Sequence, residues 1–278
     1  MKTRISDRAA ATEQPAASET DAGRRPSARE ACLFLAAYSA RLLGCGATCI
    51  RLEKNVGRMA AAFGKEAEIT IMPRHVHITV NERGSDSTFT SSATVAPAAI
   101  NFNMNTRLSE LSWEVADTGI SFEATKERFE DIAATAQENR YAVLALVTLA
   151  NAAFCRLFGG DAAAMAVVAA ATLAGFMLKQ ELLARKADAR MVTMLCAFVS
   201  SVLGATAVLF GLGDTPLTAM GTSVLYLVPG IPFLNSFSDM LCRHYICAFC
   251  RFADATVLTC CLSAGLCAGM LMMGVGMF

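Results

Sequence analysis

The sequence predicts an α+β cytoplasmic domain followed by an all-α membrane domain of five transmembrane helices. Charge is the first reason, because residues 1–140 hold 17 Lys/Arg and 18 Asp/Glu whereas residues 141–278 hold only 7 and 6. The second reason is a series of apolar runs in the second half, each close to the roughly 20 residues that cross a bilayer. The third is a mixture of helical and strand periodicities in the first half. We therefore divide the chain into a disordered arm (1–26), the α+β domain (27–139) and the membrane domain (140–278).

The arm is polar, contains two prolines and includes no apolar stretch like that of a secretory signal. A segment of this composition cannot bury enough apolar surface to offset its loss of conformational entropy, so we expect disorder. The whole chain has a formal net charge of zero. A nucleic-acid partner is not expected, because such a partner requires a basic face and the sequence shows none.

The α+β domain is predicted to begin with two helices. The capping-box sequence "SARE" opens the first at Ser27, "GCGA" at residues 44–47 interrupts it, and a second helix runs to about Phe63 and stops at Gly64. Alternating apolar residues then predict three strands, and two further helices follow, the second of which leads into the first span. The expected ranges are 68–72, 75–80 and 87–95 for the strands, and 106–116 and 122–139 for the helices. No glycine-rich phosphate loop follows a strand, so a dinucleotide-binding fold is not expected.

The five predicted spans are runs without charge, except that Arg156 interrupts the first. They cover residues 141–160, 162–178, 191–213, 215–238 and 255–278. The links after spans two and four carry Lys and Arg, whereas the links "GGD" and "GDTP" carry neither. Because positive charge stays on the cytoplasmic side, the α+β domain is expected in the cytoplasm and the C-terminus outside.

The fourth span contains the sequence "LYLVPGIPFLNSFSDM", in which Pro229, Gly230 and Pro232 are expected to break the helix. Broken helices at membrane depth line cavities, and their exposed ends bind ions and anionic groups. Asn235 and Asp239 follow four residues apart, so they share a helical face. We predict a substrate-binding site here. The alternatives are a plain kink filled by helix packing, and an Asp239 that lies at the membrane surface and pairs with Arg243.

Two other polar residues of the membrane domain are candidate substrate contacts. Arg156 suits bidentate recognition of a carboxylate, but an interfacial anchor is the competing interpretation. Asn151 lies five residues earlier in the same span. An interhelical hydrogen bond is its competing interpretation.

Gly265 and Gly269 stand four residues apart in the fifth span and predict a close helix–helix contact, either within the chain or with a partner subunit. The eleven cysteines are expected to be free, because many lie in apolar runs and the others in a reducing compartment. Cys242, His244, Cys247 and Cys250 form a short row of metal-ligand types, yet one continuous segment rarely places four ligands tetrahedrally. We therefore expect no metal and no cofactor. Without an "HExxH" motif or a Ser/His dyad in the spans, an enzyme is not expected either.

Three segments carry a family resemblance: "LVPGIPFLNSFSDM", "LLGCGATCIRLEKNVGRMAAAFG" (residues 42–64) and "FCRLFGGD" (154–161). In their sequences and in their order along the chain, the three segments resemble the threonine/serine exporter family over roughly residues 30–278. The chain is similar to the family's short split form, the five-span inner-membrane subunit of the bacterial succinate exporter pair. It departs from the family pattern at Thr48, where an acid is common, and at Ser238, where an Arg often precedes the Asp.

The resemblance implies a subunit of a two-component exporter in the bacterial inner membrane, completed by a second small membrane protein. It also implies a small carboxylate substrate, with a succinate-type dicarboxylate favoured. The alternatives are an exporter of threonine and serine, and a regulatory or sensor subunit that does not transport. In the export hypothesis Asp239 takes up a proton, since burial raises the pKa of a carboxyl group towards neutrality.

Overall fold

The structure, a computed structural model, describes residues 25–82, 88–96, 100–135 and 139–276. Most of the predicted disordered arm therefore lies outside the described residues. The chain forms an α+β part, which contains the only sheet among these residues, and a helical part that follows it. The elements of the α+β part are α1 (Ala28–Gly44), α2 (Cys49–Ala62), β1 (Lys65–Ile71), β2 (His75–Glu82), β3 (Thr88–Thr94), α3 (Phe102–Thr118) and α4 (Phe122–Ala134).

Local signals fix the ends of the first two helices as predicted. The Ser27 hydroxyl accepts from the backbone N–H of Glu30, and the Glu30 carboxylate accepts from the backbone N–H of Ser27 at 2.9 Å. This reciprocal pair satisfies two N–H groups that the first turn of a helix leaves free. The α2 helix ends just before Gly64, whose φ of +73° requires a residue without a β-carbon.

The three strands form an antiparallel sheet in the order β1-β2-β3. Val76, Ile78 and Val80 on the central strand are fully buried against the helices, because alternate residues of a strand face the same side. Tyr38 of α1 is buried in the same core and donates a hydrogen bond to the Leu108 carbonyl at 2.8 Å. Burial raises the pKa of the Tyr38 hydroxyl, which keeps it protonated as the donor.

The helical part consists of α5 (Arg140–Leu157), α6 (Ala162–Ala184), α7 (Ala189–Leu209), α8 (Pro216–Thr222), a 3₁₀ turn (Leu225–Leu227), α9 (Gly230–Leu241) and α10 (Tyr245–Met272). Four of these helices, α5, α6, α7 and α10, are long and apolar enough to cross a membrane. A fifth candidate span is the pair formed by α8 with its 3₁₀ turn and α9, which is bent by 60°. The described residues therefore hold four candidate spans, or five if the bent pair is one span.

Several observed element ends differ from the predicted ones by a few residues, and two differences are larger. The helix predicted over 122–139 ends at Ala134, so it does not run continuously into α5. The last helix begins at Tyr245, whereas the predicted span began at Ala255. Its first turns carry Arg251, which contacts Asp239 of α9 and the Ala47 carbonyl of the α+β part. Arg251, which was assigned to a link, is consequently a helical residue of α10.

The last helix packs against α7 through its glycines. A β-carbon on Gly265 would overlap the Met194 carbonyl oxygen, and one on Gly269 would lie only 2.7 Å from the β-carbon of Ser201. The Ser201 hydroxyl donates to the Leu266 carbonyl at 2.9 Å across the same contact. The close approach that the small residues permit is thus made with α7 of the same chain.

Candidate functional site

The break within the bent pair of helices, between the 3₁₀ turn and α9, lies at Val228 and Pro229. Pro229 is the residue before α9, and Pro232 lies in the first turn of that helix. The first four N–H groups of a helix have no partner within it, so a proline there removes no hydrogen bond. Pro229 therefore belongs to the break, whereas Pro232 is compatible with the new helix. Gly230, the first residue of α9, has nothing within 4 Å of where a β-carbon would stand.

The helices beside the break present buried polar groups to it. The Asn151 side chain of α5 donates to the Thr172 hydroxyl of α6 at 2.6 Å and to the backbone carbonyl of Thr222 at 3.2 Å. Thr222 is the last residue of α8, so its carbonyl is one of those that a helix end leaves free. Asn151 thus joins three helices at the break, as its interhelical interpretation expected.

A second polar contact at the break involves residues that the sequence analysis missed. The Tyr226 hydroxyl, on the 3₁₀ turn, lies 2.8 Å from the Ser200 hydroxyl of α7. Gly175 of α6 leaves room for the tyrosine, because a β-carbon there would overlap the phenol oxygen. A tyrosine in an apolar run next to a Pro-Gly pair was the available signal, since a buried phenol requires a partner.

Asn235 and Asp239 of α9 contact the loop between α1 and α2, which we call the α1–α2 loop (residues 45–48), and the first residue of α2 that follows it. The Asn235 amide donates to the Gly46 carbonyl at 2.9 Å. Asp239 is fully buried, and its Oδ1 accepts a 2.8 Å hydrogen bond from the backbone N–H of Cys49, the first residue of α2. The polar face predicted for α9 therefore exists, and in this structure it contacts the α+β part.

The cation beside Asp239 is Arg251 of α10 rather than Arg243. Nη1 of Arg251 lies 2.9 Å from Oδ2 of Asp239, and Nη2 donates to the Ala47 carbonyl at 2.8 Å. Arg243 cannot follow Asp239 around a helix, because α9 ends at Leu241 and Arg243 has a left-handed φ of +66°. The alternative of a surface pair between Asp239 and Arg243 is therefore wrong.

The Asp239 carboxylate also caps α2. Thr48 precedes this helix but makes no side-chain capping bond. The partial positive charge of a helix N-terminus favours a carboxylate at this position, and Asp239 occupies it beside the Arg251 guanidinium.

Two further contacts join α2 and the start of α10. His244 Nε2 lies 3.4 Å from the Glu53 carboxylate, one turn into α2. The Cys49 thiol contacts Cys247 of α10, and this hydrogen bond together with burial raises the pKa of Cys49. A neutral Cys49 thiol adds no negative charge next to Asp239.

Arg156 lies apart from this cluster. Its side chain is exposed, and its Nη1 donates to the Gly160 carbonyl at 3.1 Å just beyond its own helix. The neighbouring Asp161 accepts from the backbone N–H groups of Ala164 and Asp214, and these bonds hold the pKa of Asp161 below its usual value. Thr215, just before α8, accepts from the Asp161 N–H at 2.9 Å, whereas Asp239 lies near the end of α9, so Arg156 and Asp239 belong to opposite ends of the bent pair.

Among the described residues, no three His, Cys, Asp or Glu side chains are grouped closely enough to hold a metal ion. This includes the row at Cys242, His244, Cys247 and Cys250. All eleven cysteines are unpaired. The cluster consists of a buried carboxylate, a guanidinium and the N-terminal end of α2.

Comparison with known proteins gives one family. The profile of the threonine/serine exporter family, ThrE, matches residues 34–273. A relative named "probable succinate transporter subunit YjjP" in Klebsiella aerogenes is 26% identical over 259 residues, covering 92% of this chain and 98% of that protein. The protein of the same name in Escherichia coli K12 is 26% identical over 220 residues, covering 78% and 85%. No solved structure gives a significant match.

Proposed function

Because the chain belongs to the threonine/serine exporter family, we propose that it is one subunit of a two-component exporter of small carboxylates, with succinate-type dicarboxylates as the substrates. The family membership and the apolar helices make the chain a multi-pass membrane protein of a transporter family. The names of the two relatives support dicarboxylate export, since both are described as succinate transporter subunits. A subunit implies a partner, for which we propose a second small membrane protein.

The observation that carries the proposal is a fully buried carboxylate, Asp239, at the end of a broken candidate span. Asp239 is buried between α10 and the N-terminus of α2, and an ionisable group buried at the end of a candidate span is expensive to maintain and usually functional. The proposed substrate region is the polar face of α9 together with the break, formed by Pro229, Gly230, Pro232, Asn235 and Asp239. Asn151 and Arg156 are the other two proposed substrate contacts; in this structure Asn151 donates to Thr172 and Arg156 to the Gly160 carbonyl.

In the proposed mechanism Asp239 takes up a proton when substrate is bound and gives it up when substrate leaves. The orientation that fits this scheme is the one expected from the basic links, with the α+β part in the cytoplasm and the C-terminus outside the inner membrane. The α1–α2 loop would then cover the cytoplasmic end of α9.

Two other functions remain candidates. The family description favours an exporter of threonine and serine. A sensor subunit is favoured by the hydrogen bonds from α9 and α10 to the α1–α2 loop. A ligand that moves this loop would change the contacts of both helices.

The test is efflux of preloaded labelled succinate and labelled threonine from cells that express the chain, alone and with the small membrane protein that co-purifies with it. We expect succinate efflux only when both proteins are present. Asp239→Asn is expected to abolish that efflux while both proteins remain assembled in the membrane. Threonine efflux would move the substrate to amino acids, and no efflux of either with both proteins in the membrane would favour the sensor function.

A further inference from the structure

We propose that Arg251 is the receptor for the substrate's carboxylate group, and that Asp239 occupies this receptor when no substrate is bound. The proposal rests on the proposed export of carboxylates and adds to it the residue that binds them. It starts from the position of the arginine, which lies inside a candidate span and whose side chain is 22% exposed. A guanidinium is always charged in a protein, so at this place it requires an anion.

The contact between the two side chains is incomplete as a hydrogen bond. Nη1 of Arg251 and Oδ2 of Asp239 are 2.9 Å apart, yet the geometry of the contact does not make a hydrogen bond. Beyond this ion pair, neither buried atom has a further hydrogen-bond partner in the described part of the chain. A guanidinium binds a free carboxylate through two parallel N–H donors, so a mobile carboxylate can satisfy it better than Asp239 does.

Asp239 can release the arginine without losing all its partners. Its other oxygen, Oδ1, accepts from the Cys49 N–H at 2.8 Å, and a protonated carboxyl group retains an oxygen that can accept this bond. One proton added to Oδ2 removes the negative charge, and one carboxylate of the substrate then replaces it on Arg251. The charge beside the arginine is unchanged by this exchange, which avoids leaving an unpaired buried charge.

Among the surrounding titratable groups, Asp239 is the one proposed to take up the proton. The Cys49 thiol, facing from α2, has a raised pKa and is neutral. Cys247 of α10 donates to the Ile71 carbonyl at 3.5 Å. His244 and Glu53 also contact each other between these elements, and their contact involves neither atom of the exchange.

The exchange also requires the α1–α2 loop to move. The Ala47 carbonyl accepts a hydrogen bond from Nη2 of Arg251, and the Gly46 carbonyl accepts one from the Asn235 amide. When the loop withdraws, Nη2 and the Asn235 amide both lose their present acceptors and can donate to a ligand. A dicarboxylate fits this arrangement because its two ends can use the two sets of donors.

The first test measures binding without transport. The full chain is purified in detergent, and its thermal midpoint is recorded in sodium succinate, in sodium acetate and in sodium chloride of equal ionic strength. In Asp239→Asn the arginine loses its carboxylate, so we expect succinate to bind at least tenfold more tightly than to the unmodified chain and to raise the midpoint further. The double variant with Arg251→Gln is expected to show no such rise. Arg185→Gln, which removes an exposed arginine paired with Glu181, is the matched control and is expected to respond like the unmodified chain.

The second test uses a variant that keeps the charge. Arg251→Lys retains an ion pair with Asp239 but loses the paired donors, so we expect the KM for succinate efflux to rise at least tenfold while the chain stays assembled. If Asp239→Asn cannot be purified, succinate binding by the unmodified chain between pH 5 and 8 takes its place, and tighter binding at lower pH is expected.

Equal succinate responses of Asp239→Asn and the unmodified chain, or pH-independent binding in the substitute experiment, would overturn the proposal. Succinate efflux with an unchanged KM in Arg251→Lys would overturn it too, and would leave the exporter function intact. Carboxylate binding that depends on Arg251, without efflux of any carboxylate, would support the receptor and contradict the exporter function.

Discussion

Substituting Gly269 by alanine tests how tightly α10 packs on α7. The added β-carbon would lie 2.7 Å from Ser201 Cβ and 3.0 Å from the Phe198 carbonyl oxygen. Carbon atoms pack at about 3.5–4.0 Å, so the two helices must separate by several tenths of an ångström. One of the obstructing atoms belongs to the backbone, so a change of side-chain rotamer cannot relieve it.

The expected loss of stability has two sources. Overpacking a close-packed contact costs about 1–3 kcal/mol. The separation also stretches the hydrogen bond from the Ser201 hydroxyl to the Leu266 carbonyl, now 2.9 Å long, which is worth about 1 kcal/mol. Taking about 2 kcal/mol in total, the thermal midpoint should fall by about 4–8 °C.

The assay is thermal unfolding of the purified full chain, and Gly57→Ala is the matched control. Gly57 lies within α2 with nothing inside 4 Å of a β-carbon position, so alanine there should stabilise the chain by about 0.5–1 kcal/mol. The same substitution is thus expected to lower the thermal midpoint at Gly269 and to raise it at Gly57. An unchanged midpoint for Gly269→Ala would refute the packing argument. If assembly with the partner were lost at the same time, the glycines would face the partner instead of α7.

Three further predictions concern single side chains. Hydrogen bonds, chiefly from the Ala164 N–H, lower the pKa of Asp161, so its contribution to stability is present above about pH 4 and is lost as pH falls through the lowered pKa. Asp161→Asn should therefore reduce the fall of the thermal midpoint at acid pH. An unchanged fall would contradict this. Asn151→Ala removes an interhelical hydrogen bond and should lower the unfolding free energy by about 0.6–1.7 kcal/mol in lipid, with no change expected if the amide faces a substrate path instead. Tyr38→Phe removes the buried donor to the Leu108 carbonyl and should cost about 1–3 kcal/mol in the same unfolding assay, so a neutral result would show that the bond is not formed.

Much of the fold could be predicted because local signals specify it. The capping box at Ser27 and the glycine at residue 64 set helix ends through interactions within one turn. The apolar runs gave the candidate spans, since a bilayer requires only length and composition. The wrong start of α10 has the same origin: a charge-free run marks the part of a helix that can lie in hydrocarbon, whereas the helix itself extends further.

The candidate site was predicted only in part. Asn235 and Asp239 were found because an amide and a carboxylate next to an apolar run are unusual. Arg251, which lies against Asp239, was missed because it stood outside the predicted span. Tyr226 was missed because the apolar run was judged by its hydropathy alone, although a tyrosine hydroxyl within it requires a partner.

By itself, therefore, the sequence determined the division into two parts, the broken span and the polar face of α9. These depend on composition and on spacings of a few residues, which local geometry translates directly into structure. Only the tertiary structure decided what that polar face meets. The turn at Cys242–His244 reverses the chain and returns Arg251 to Asp239, and the packing of α2 supplies the Cys49 N–H from 190 positions away in the sequence. Contacts of this kind depend on chain reversal and on the packing of whole elements, and no short pattern of residues encodes them.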